Sequence, residues 1–399
     1  MLTLSVPPTA RERHHWHAQG DGMTGRRRLT AASGPYESAL PARIADLELT
    51  LPPALAADIE EATAALSRFD DYARMSLGPA STTLGPMSSI LLRTESASSS
   101  QIEQLTAGAR QLALAELEQT TSQNARIVMG NVRAMEAALD LAEKLDQEAI
   151  LAMQRILVEE QPASERYAGR YRDSLVWVGT SAVSPIGASH IAPQAKYIGP
   201  AMADLVRFMD RLDLPTLLQA ALAHAQFETI HPFENGNGRT GRALVHALLK
   251  ARGLVTTTTA PLSAGLLKQT STYYRALTTY REGEAAPLVT CFTEAALFAA
   301  SSGTQLVDDL SAELEASAQA MQGLRRQASA WKVLPHLVAH PVINAAFLER
   351  RLGLNQVAAQ RALSQLVDRR VLEERSGLKR NRVWSSPVVW CMSGDPSSV

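Results

Sequence analysis

Residues 231–242 read His-Pro-Phe-Glu-Asn-Gly-Asn-Gly-Arg-Thr-Gly-Arg and join two helical patterns, at 214–230 and 239–252. Gly236, Asn237 and Gly238 stand just before the second helix. Glycine lets the backbone turn tightly and bring its N–H groups close to a ligand. A helix N-terminus adds unsatisfied N–H donors and the positive end of the helix dipole. The stretch therefore predicts a phosphate-binding turn in a helical protein.

Two arginines and a histidine complete a reactive set around this turn. Arg239 and Arg242 are three residues apart, so both project from one side of the first helical turn. Paired guanidinium groups match a di- or triphosphate. His231, at the other lip, is the residue type that most often acts as general base toward a hydroxyl nucleophile. Together these groups indicate phosphoryl or nucleotidyl transfer.

Other interpretations of the glycines fit less well. Gly236-x-Gly238-x-x-Gly241 matches the dinucleotide fingerprint, but that motif should follow a strand, and residues 214–230 carry a helical apolar stripe. No Lys-Ser or Lys-Thr pair follows the glycines, so the loop is not a Walker A motif. A plain helix–helix turn with solvated arginines explains the glycines but leaves His-Pro-Phe without a reason.

The segment closely resembles the signature of Fic proteins, His-Pro-Phe-x-acid-Gly-Asn-Gly-Arg-x-x-Arg, and it matches at every position but one. The order of helices over about 100–300 is also similar to the Fic fold. The resemblance implies a mainly α protein, a helical bundle with a small β-hairpin flap. It also implies transfer of AMP from ATP to a Ser, Thr or Tyr hydroxyl of a protein, the chain itself included, with pyrophosphate leaving.

The resemblance assigns a role to each motif residue. His231 would deprotonate the target hydroxyl, and Phe233 would anchor the loop in the core. The stretch 236–238 would hold the α- and β-phosphates. Arg239 would bind the β-phosphate and Arg242 the γ-phosphate.

The one departure concerns the metal. Fic proteins place an acidic residue in the loop to hold Mg²⁺ against the phosphates, and here that position is Asn235, with Glu234 one residue early. An Asn side chain offers Mg²⁺ a neutral carbonyl oxygen. We therefore expect either Asn235 as a weak metal contact or a metal held chiefly by phosphates and water.

A second motif lies about 130 residues earlier. Ser99 and Glu103 are spaced as a helix N-cap followed by an acid, a stabilising helix start. The same residues resemble the inhibitory motif of Fic proteins, Ser/Thr-x-x-x-Glu-Gly/Asn, whose Glu would pair with Arg242 in place of the γ-phosphate. Gln104 departs from that pattern, because it stands where Gly or Asn is usual.

Periodicity and composition divide the chain into five parts. Residues 1–35, with a histidine cluster at 14–17, are interpreted as a disordered extension rather than a metal site. Residues 36–122 form a helical region with the inhibitory helix, 123–303 the catalytic core and 304–330 a connecting helix. Within the core, the Gly/Pro-rich stretch 165–196 predicts a loop or hairpin. Its part 179–193 lies where Fic proteins carry a hairpin flap that docks their targets through backbone pairing.

Residues 331–399 change character and predict a winged helix-turn-helix domain. Two short helices and a wing are expected between 343 and 384. Residues 349–382 contain nine Lys or Arg and four Asp or Glu, a local balance of +5, so this module could contact DNA phosphates. Winged helices equally serve as protein-docking or dimerisation modules, and Fic proteins often pair, so we expect a homodimer.

Further side chains near the motif have simpler interpretations. His224 and His246 lack a convergent third ligand, so core or helix-surface positions are favoured over a metal site. One of Tyr273 and Tyr274 is expected in the core.

Bulk composition narrows the function classes. A net charge of -1 gives no whole-chain attraction to nucleic acid or membrane. No apolar run has the length of a membrane span, and the two cysteines, a hundred residues apart, fit a reducing cytoplasm. Two alternatives to AMP transfer stay open, a DNA-binding regulator with a nucleotide-sensing Fic domain and a Fic-fold transferase that uses another nucleotide donor.

Overall fold

The computed structural model describes residues 3–18, 30, 32–77, 84–179, 181, 183–374 and 382–386. These residues are mostly helical. The helices are α1 (Pro53–Leu77), α2 (Leu84–Ile102), α3 (Ala109–Glu116), α4 (Gln123–Asp140), α5 (Gln147–Val158), α6 (Ile198–Met209), α7 (Thr216–Ile230), α8 (Asn237–Ala251), α9 (Leu262–Lys268), α10 (Thr270–Arg281), α11 (Ala286–Ala320), α12 (Ser329–Val333), α13 (His336–Ala339), α14 (Ala345–Leu352) and α15 (Gln356–Asp368). The strands are β1 (Ala10–Trp16), β2 (Gly34–Leu40), β3 (Trp177–Val178), β4 (His190–Ile191), β5 (Val342–Ile343), β6 (Glu373–Glu374) and β7 (Trp384–Ser385).

The chain forms two compact units. The first comprises residues 1–63, 133–254 and 268–295, and the second comprises 64–132, 255–267 and 296–399. No helix within the described ranges is long and apolar enough to cross a membrane.

Helix α7 is the centre of the first unit. Its sequence predicts one apolar stripe, but every residue from Leu217 to Ile230 is buried. A helix that is buried on all sides must satisfy its polar side chains internally. Gln219 does so by donating to the carbonyl oxygens of Phe208 and Met209, and Gln226 donates to that of Ala42. The motif therefore follows a helix that is fixed on every face.

The N-terminal region differs from the disordered extension predicted over 1–35. Strand β1 pairs antiparallel with β2, from Ala10 opposite Leu40 to Trp16 opposite Gly34. The preceding residues are also held, since the Thr9 N–H donates to the Arg281 carbonyl at 2.8 Å. The sequence did not predict this strand because it is rich in polar residues. A two-stranded hairpin can expose one face, so it can form without the usual apolar pattern.

The predicted flap is a short antiparallel pair, β3 and β4, with Trp177 opposite Ile191 and Val178 opposite His190. It lies beside the N-terminal hairpin. Trp16 donates from Nε1 to the Val183 carbonyl at 3.0 Å, and its ring meets that of Trp177 edge to face at 5.4 Å. The hairpin thus braces the flap.

Helix boundaries differ from the sequence pattern at two places. The pattern predicts one helix over 100–121, but α2 ends at Ile102 and α3 begins at Ala109. The pattern also predicts separate helices at 285–302 and 304–329, but one continuous helix, α11, runs from Ala286 to Ala320. The connecting helix predicted at 304–330 is therefore the second half of α11.

The C-terminal module has its own apolar core. Asn344 and Asn355 cap α14 and α15 by accepting from backbone N–H groups three residues on, and Gly353 turns the chain between these helices with φ +63°. Strands β5, β7 and β6 form a three-stranded antiparallel sheet in that order. The buried core includes Ile343, Leu348, Leu363, Leu366 and Trp384. The helices and paired strands lie where the sequence predicts them, and the winged-helix assignment stays a prediction.

The residues of the second motif lie at a helix end, not at the predicted helix start. Ser99 is buried in the last turn of α2, and Glu103 follows that helix. The Leu105 N–H donates to the Ser100 carbonyl at 3.0 Å, and Gln104 has φ +61°. This is a Schellman cap, whose left-handed residue is usually Gly or Asn. The geometry gives a physical reason for the glycine or asparagine of the inhibitory motif and marks Gln104 as strained.

We expect Gln104→Gly to raise the free energy of unfolding by roughly 1 kcal/mol, because glycine adopts positive φ without a Cβ clash. Urea titration of both proteins measures the change. Gln101→Gly is the matched control, since Gln101 is exposed in the last turn of α2 and glycine there should destabilise. Destabilisation by both variants would contradict the strain at Gln104.

Candidate active site

The turn between α7 and α8 begins at His231, which caps α7 in the left-handed conformation, φ 48° and ψ 60°. A non-glycine residue in that conformation is strained and must be held by its surroundings. Arg172 does this: its Nε donates to the His231 carbonyl at 2.9 Å, and its backbone N–H donates to the Pro232 carbonyl at 3.0 Å. Arg172 also donates from Nη2 to the Pro193 carbonyl at 2.8 Å, which links the turn to the segment after the flap.

The loop is closed by the side chain of Asn237. Its Oδ1 accepts from the Phe233 N–H at 2.9 Å, and its Nδ2 donates to the Phe233 carbonyl at 2.8 Å. Phe233 is fully buried, as predicted for the loop anchor. The Asn237 side chain is therefore committed to the loop, and any phosphate contact from this residue would come from its backbone N–H.

Gly236 sets the exit of the turn. Its φ is +83°, and a Cβ there would lie 2.7 Å from Cδ2 of Leu157. Both the backbone conformation and the close approach of α5 therefore require glycine. Helix α8 begins at the next residue, Asn237, so its first N–H groups point out of the helix end beside His231. The phosphate-binding turn predicted from the sequence coincides with this helix N-terminus, with Gly238 in the first turn, and anion binding there stays a prediction.

The arginines of α8 lie in the first two turns and are buried, Arg239 at 2% and Arg242 at 3% exposure. Arg239 donates from Nη2 to Oδ1 of Asn235 at 3.3 Å. Gln154 of α5, also buried, donates to the Asn235 carbonyl at 3.2 Å and accepts from the Gly169 N–H at 2.6 Å. The loop tip is thus fixed by a neighbouring helix, while the side chains of Glu234 and Asn235 are exposed.

A buried carboxylate lies directly behind His231. Glu228, three residues earlier on α7, places Oε2 at 3.6 Å from Nδ1 of His231. Burial opposes ionisation of Glu228, but interactions with His231, His224 and Arg242 outweigh it and lower its pKa to about 2. A carboxylate at this side of the ring favours a proton on Nδ1 and leaves the lone pair of Nε2 for an incoming hydroxyl.

Two further groups surround this pair. Arg281, which is partly buried, donates from Nη2 to the Glu228 carbonyl at 3.3 Å, and burial lowers its pKa. His190 of β4 holds its ring 6.2 Å from that of His231 and places Nε2 at 3.0 Å from the Thr229 carbonyl oxygen. Burial, with the charges of Arg281 and His231, lowers the pKa of His190 well below its usual range, so this ring is neutral.

The other residues singled out by the sequence have structural places. His224 is buried, and its Nε2 lies 2.6 Å from the hydroxyl of Tyr273. Burial lowers its pKa to about 4, which confirms a core histidine. Tyr273 is buried and Tyr274 is 45% exposed, so one of the two belongs to the core as expected. His246 is also buried, and no cluster of three metal-ligating acids, histidines or cysteines occurs in the described part of the chain.

Sequence reasoning missed the residues that support the motif. Glu228 could have been found, because residues three apart on a helix share a face and Glu228 precedes His231 by three. Arg172, His190, Arg281 and Gln154 carry no such signal, since their contacts to the motif span more than 35 residues of sequence.

Comparisons with known proteins agree on one family. Residues 144–249 match the Fic/DOC family. The chain is 30% identical over 112 residues to protein adenylyltransferase fic-1 of Caenorhabditis elegans, covering 28% of this chain and 20% of that protein. It is 33% identical over 121 residues to protein adenylyltransferase Fic of Drosophila melanogaster, covering 27% of this chain and 23% of that protein. The matches span about a fifth to a quarter of these relatives.

Solved structures extend the likeness of fold. A Fic family protein from Desulfovibrio desulfuricans G20 matches with a TM-score of 0.52 at 21% identity, covering 84% of this chain and 97% of that one. Residues 134–508 of Fic-1 from C. elegans match with a TM-score of 0.50 at 20% identity, covering 64% of this chain and 74% of that one. At these identities the likeness concerns the fold alone.

The buried pair of Glu228 and His231 makes stability depend on pH in the acid range. The pKa of Glu228 is lower in the folded chain, about 2, than its ordinary value of 4.5. Its contribution is therefore complete above about pH 4.5 and is lost as the pH falls toward 2. We expect this loss to reach about 3 kcal/mol in the wild type and to be missing in Glu228→Gln.

Urea unfolding at intervals from pH 6 to pH 2.5 measures how the free energy of unfolding changes with pH in wild type and in Glu228→Gln. Glu234→Gln is the control, because it removes an exposed carboxylate from the same turn. Parallel curves for wild type and Glu228→Gln would contradict the assignment.

Proposed function

We propose that this chain, whose residues 144–249 match the Fic/DOC family, transfers AMP from ATP to a hydroxyl group of a protein. The observation that carries the proposal is the placement of a supported histidine beside a helix N-terminus with two arginines in its first turns. His231, the N-terminus of α8, Arg239 and Arg242 meet in one twelve-residue turn. The relatives that the chain matches over 112 and 121 residues are named protein adenylyltransferases.

AMP transfer at this turn exchanges one oxygen on the α-phosphorus for another. Nε2 of His231 takes the proton of the target hydroxyl while its oxygen forms a bond to the α-phosphorus of ATP. The bond from the α-phosphorus to the bridging oxygen breaks, and pyrophosphate leaves. Glu228 stabilises the imidazolium that forms, as a buried carboxylate does behind a catalytic histidine. The N–H groups of α8 and the guanidinium groups stabilise phosphate charge.

A divalent cation fits this loop as a group brought in by the nucleotide. Mg²⁺ in nucleotide sites is commonly held by one or two carboxylates together with substrate phosphates. Here the exposed side chains at the tip offer the neutral oxygen of Asn235 and the carboxylate of Glu234. We assign Asn235 as the protein contact, and the metal would supply charge neutralisation of the phosphates.

A carboxylate in place of Asn235 should strengthen that contact. We expect Asn235→Asp to lower the Mg²⁺ concentration for half-maximal AMP transfer by about tenfold, with little change in rate at saturating metal. Titration of initial rates with MgCl₂ measures it. Glu234→Gln is the matched variant: an unchanged Mg²⁺ requirement supports Asn235, whereas a weakened one assigns the metal to Glu234.

We also propose that Glu103 restrains the enzyme. Paired arginines that bind a phosphate group can also bind a carboxylate, which would then compete with the phosphate. Glu103 lies between the end of α2 at Ile102 and the left-handed Gln104 of its cap, so the backbone conformation around that carboxylate is defined. Removing the carboxylate should therefore release activity.

We expect Glu103→Gly to transfer at least tenfold more AMP than wild type, either to itself or to added protein. Incubation with ATP labelled on the α-phosphate, followed by intact-mass measurement, detects the transfer. Glu103→Gly combined with His231→Ala is the control and should transfer none. Equal labelling of wild type and Glu103→Gly would contradict the restraint, and label transferred from the γ-phosphate would indicate phosphoryl transfer instead.

Contact with DNA through the C-terminal module is a second candidate function. Gln356, Gln360 and Arg361 are exposed on α15, the second helix of the predicted helix-turn-helix. A gel shift with double-stranded DNA at two salt concentrations would detect it. The proposed homodimer, which this module could equally mediate, is measured by sedimentation.

A further inference from the structure

Glu103 lies on the short connection between α2 and α3. Residues 103–108, which we call the restraint segment, follow Ile102 at the end of α2 and precede Ala109 at the start of α3. The segment, both flanking helices and the C-terminal module belong to the second unit. Because each residue spans at most about 3.6 Å, a connection this short has little slack. The positions of the two helices therefore set the course of the chain around Glu103.

Helix α3 is built into the C-terminal module. Ala113 and Leu117, in the middle and directly after the end of this helix, are buried in the same apolar cluster as Leu348, Leu363 and Trp384. Moving α3 away would expose these side chains to water, at a cost that grows with the apolar area uncovered. The downstream end of the restraint segment is therefore fixed by the module.

A buried ionic cluster, which we call the Glu116 cluster, fixes α2 to the same module. Nη2 of Arg93, on α2, donates to Oε1 of Glu116 at 2.7 Å, and Nδ1 of His340 lies 2.6 Å from that oxygen. Glu116 is the last residue of α3, and His340 directly follows α13, the short helix that packs against α2. One carboxylate thus joins α2, α3 and the module.

The Glu116 cluster is shielded from water, with 18% of the Arg93 side chain, 16% of Glu116 and 9% of His340 exposed. Burial opposes ionisation of Glu116, but the charge of Arg93 and the hydrogen bond of His340 outweigh it and hold its pKa below the ordinary value. Burial lowers the pKa of His340, so the neutral ring donates from Nδ1 to the carboxylate. Removing one partner leaves a buried charge poorly compensated, which weakens the cluster.

The cap at Gln104 is the weak point between these two fixed helices. Its left-handed φ of +61° strains a residue that carries a Cβ. Beyond the cap, Asn124 donates from Nδ2 to the Thr106 carbonyl at 3.0 Å and holds the segment there. A shift of α2 or α3 therefore acts first on the Leu105 N–H, which closes the cap by donating to the Ser100 carbonyl.

We propose that the C-terminal module governs the restraint by Glu103. Through the Glu116 cluster and the buried side chains of α3, it keeps the restraint segment capped, and loosening of this attachment releases AMP transfer. The effect on transfer rests on the proposed function and on the proposed role of Glu103. The mechanical link between His340 and the cap is measurable without nucleotide.

Amide hydrogen exchange of the full-length protein, followed by mass spectrometry without nucleotide, measures this link. His340→Ala should speed exchange in peptides covering 100–108 about tenfold, because the cap opens more often. Exchange in 300–312 of α11 should rise less than about threefold, which separates a local effect from a general loss of stability. Glu116→Gln, which removes the charge with little change in size, should speed exchange at 100–108 about threefold.

Two further variants serve as controls. In His340→Asn the side-chain amide can donate to Glu116 as Nδ1 does, so exchange should return toward the wild-type rate. Asp71→Asn breaks an exposed ion pair with Arg74 on α1, in the same unit, and should leave exchange at 100–108 unchanged. Thermal unfolding shows which variants fold, and Glu116→Gln carries the test if His340→Ala does not.

AMP transfer from ATP labelled on the α-phosphate tests the consequence of the link. His340→Ala should transfer about threefold more AMP than wild type. Added to Glu103→Gly, the same substitution should give no further increase, since no restraint is left to release. This non-additivity assigns the effect of His340 to Glu103.

The outcomes separate this inference from the proposed function. If Glu103→Gly transfers AMP, the inference is overturned by wild-type exchange at 100–108 in both His340→Ala and Glu116→Gln, or by equal acceleration in α11. It is also overturned by faster exchange without a gain in transfer, or by a gain that persists beside Glu103→Gly. Faster exchange confined to 100–108, with no AMP transfer by Glu103→Gly, would support the link and count against the proposed function.

Discussion

The double hydrogen bond between the Asn237 side chain and the backbone of Phe233 holds the reactive turn in shape. It ties the first residue of α8 to the segment that follows α7, so the two helices meet at a fixed angle. Phe233 is buried by the same closure, which gives the loop an apolar anchor. Gly236 permits the closure because a glycine can take φ +83° and has no Cβ to meet Leu157. The positions of the α8 N-terminus and of His231 both follow from this geometry.

Buried charge behind the turn favours a proton on Nδ1 of His231. An isolated carboxylate at the position of Glu228 would cost several kcal/mol to bury. Here Arg242, Arg281 and His231 surround it, and its low pKa is the result. The same arrangement keeps Glu228 ionised at neutral pH, where a base with its proton on Nδ1 is useful. Stability and reactivity thus rely on one set of buried charges.

The flap gains its position from a segment distant in sequence. A two-residue strand pair is too short to be stable alone. Trp16 of the N-terminal hairpin supplies a hydrogen bond and an aromatic contact to it. The hairpin therefore helps to hold the flap in position.

The sequence by itself determined the reactive turn, the helices that flank it and the paired helices of the C-terminal module. These features depend on neighbours in sequence, through glycine conformation, capping residues and helical periodicity, so a linear pattern contains them. Only the tertiary structure decided that residues 10–16 form a strand, that Ser99 lies at a helix end, and that Arg172, His190 and Arg281 support His231. Those placements depend on burial and on hydrogen bonds between distant segments. A local sequence pattern cannot predict these placements, because contacts between distant segments form only when the chain folds.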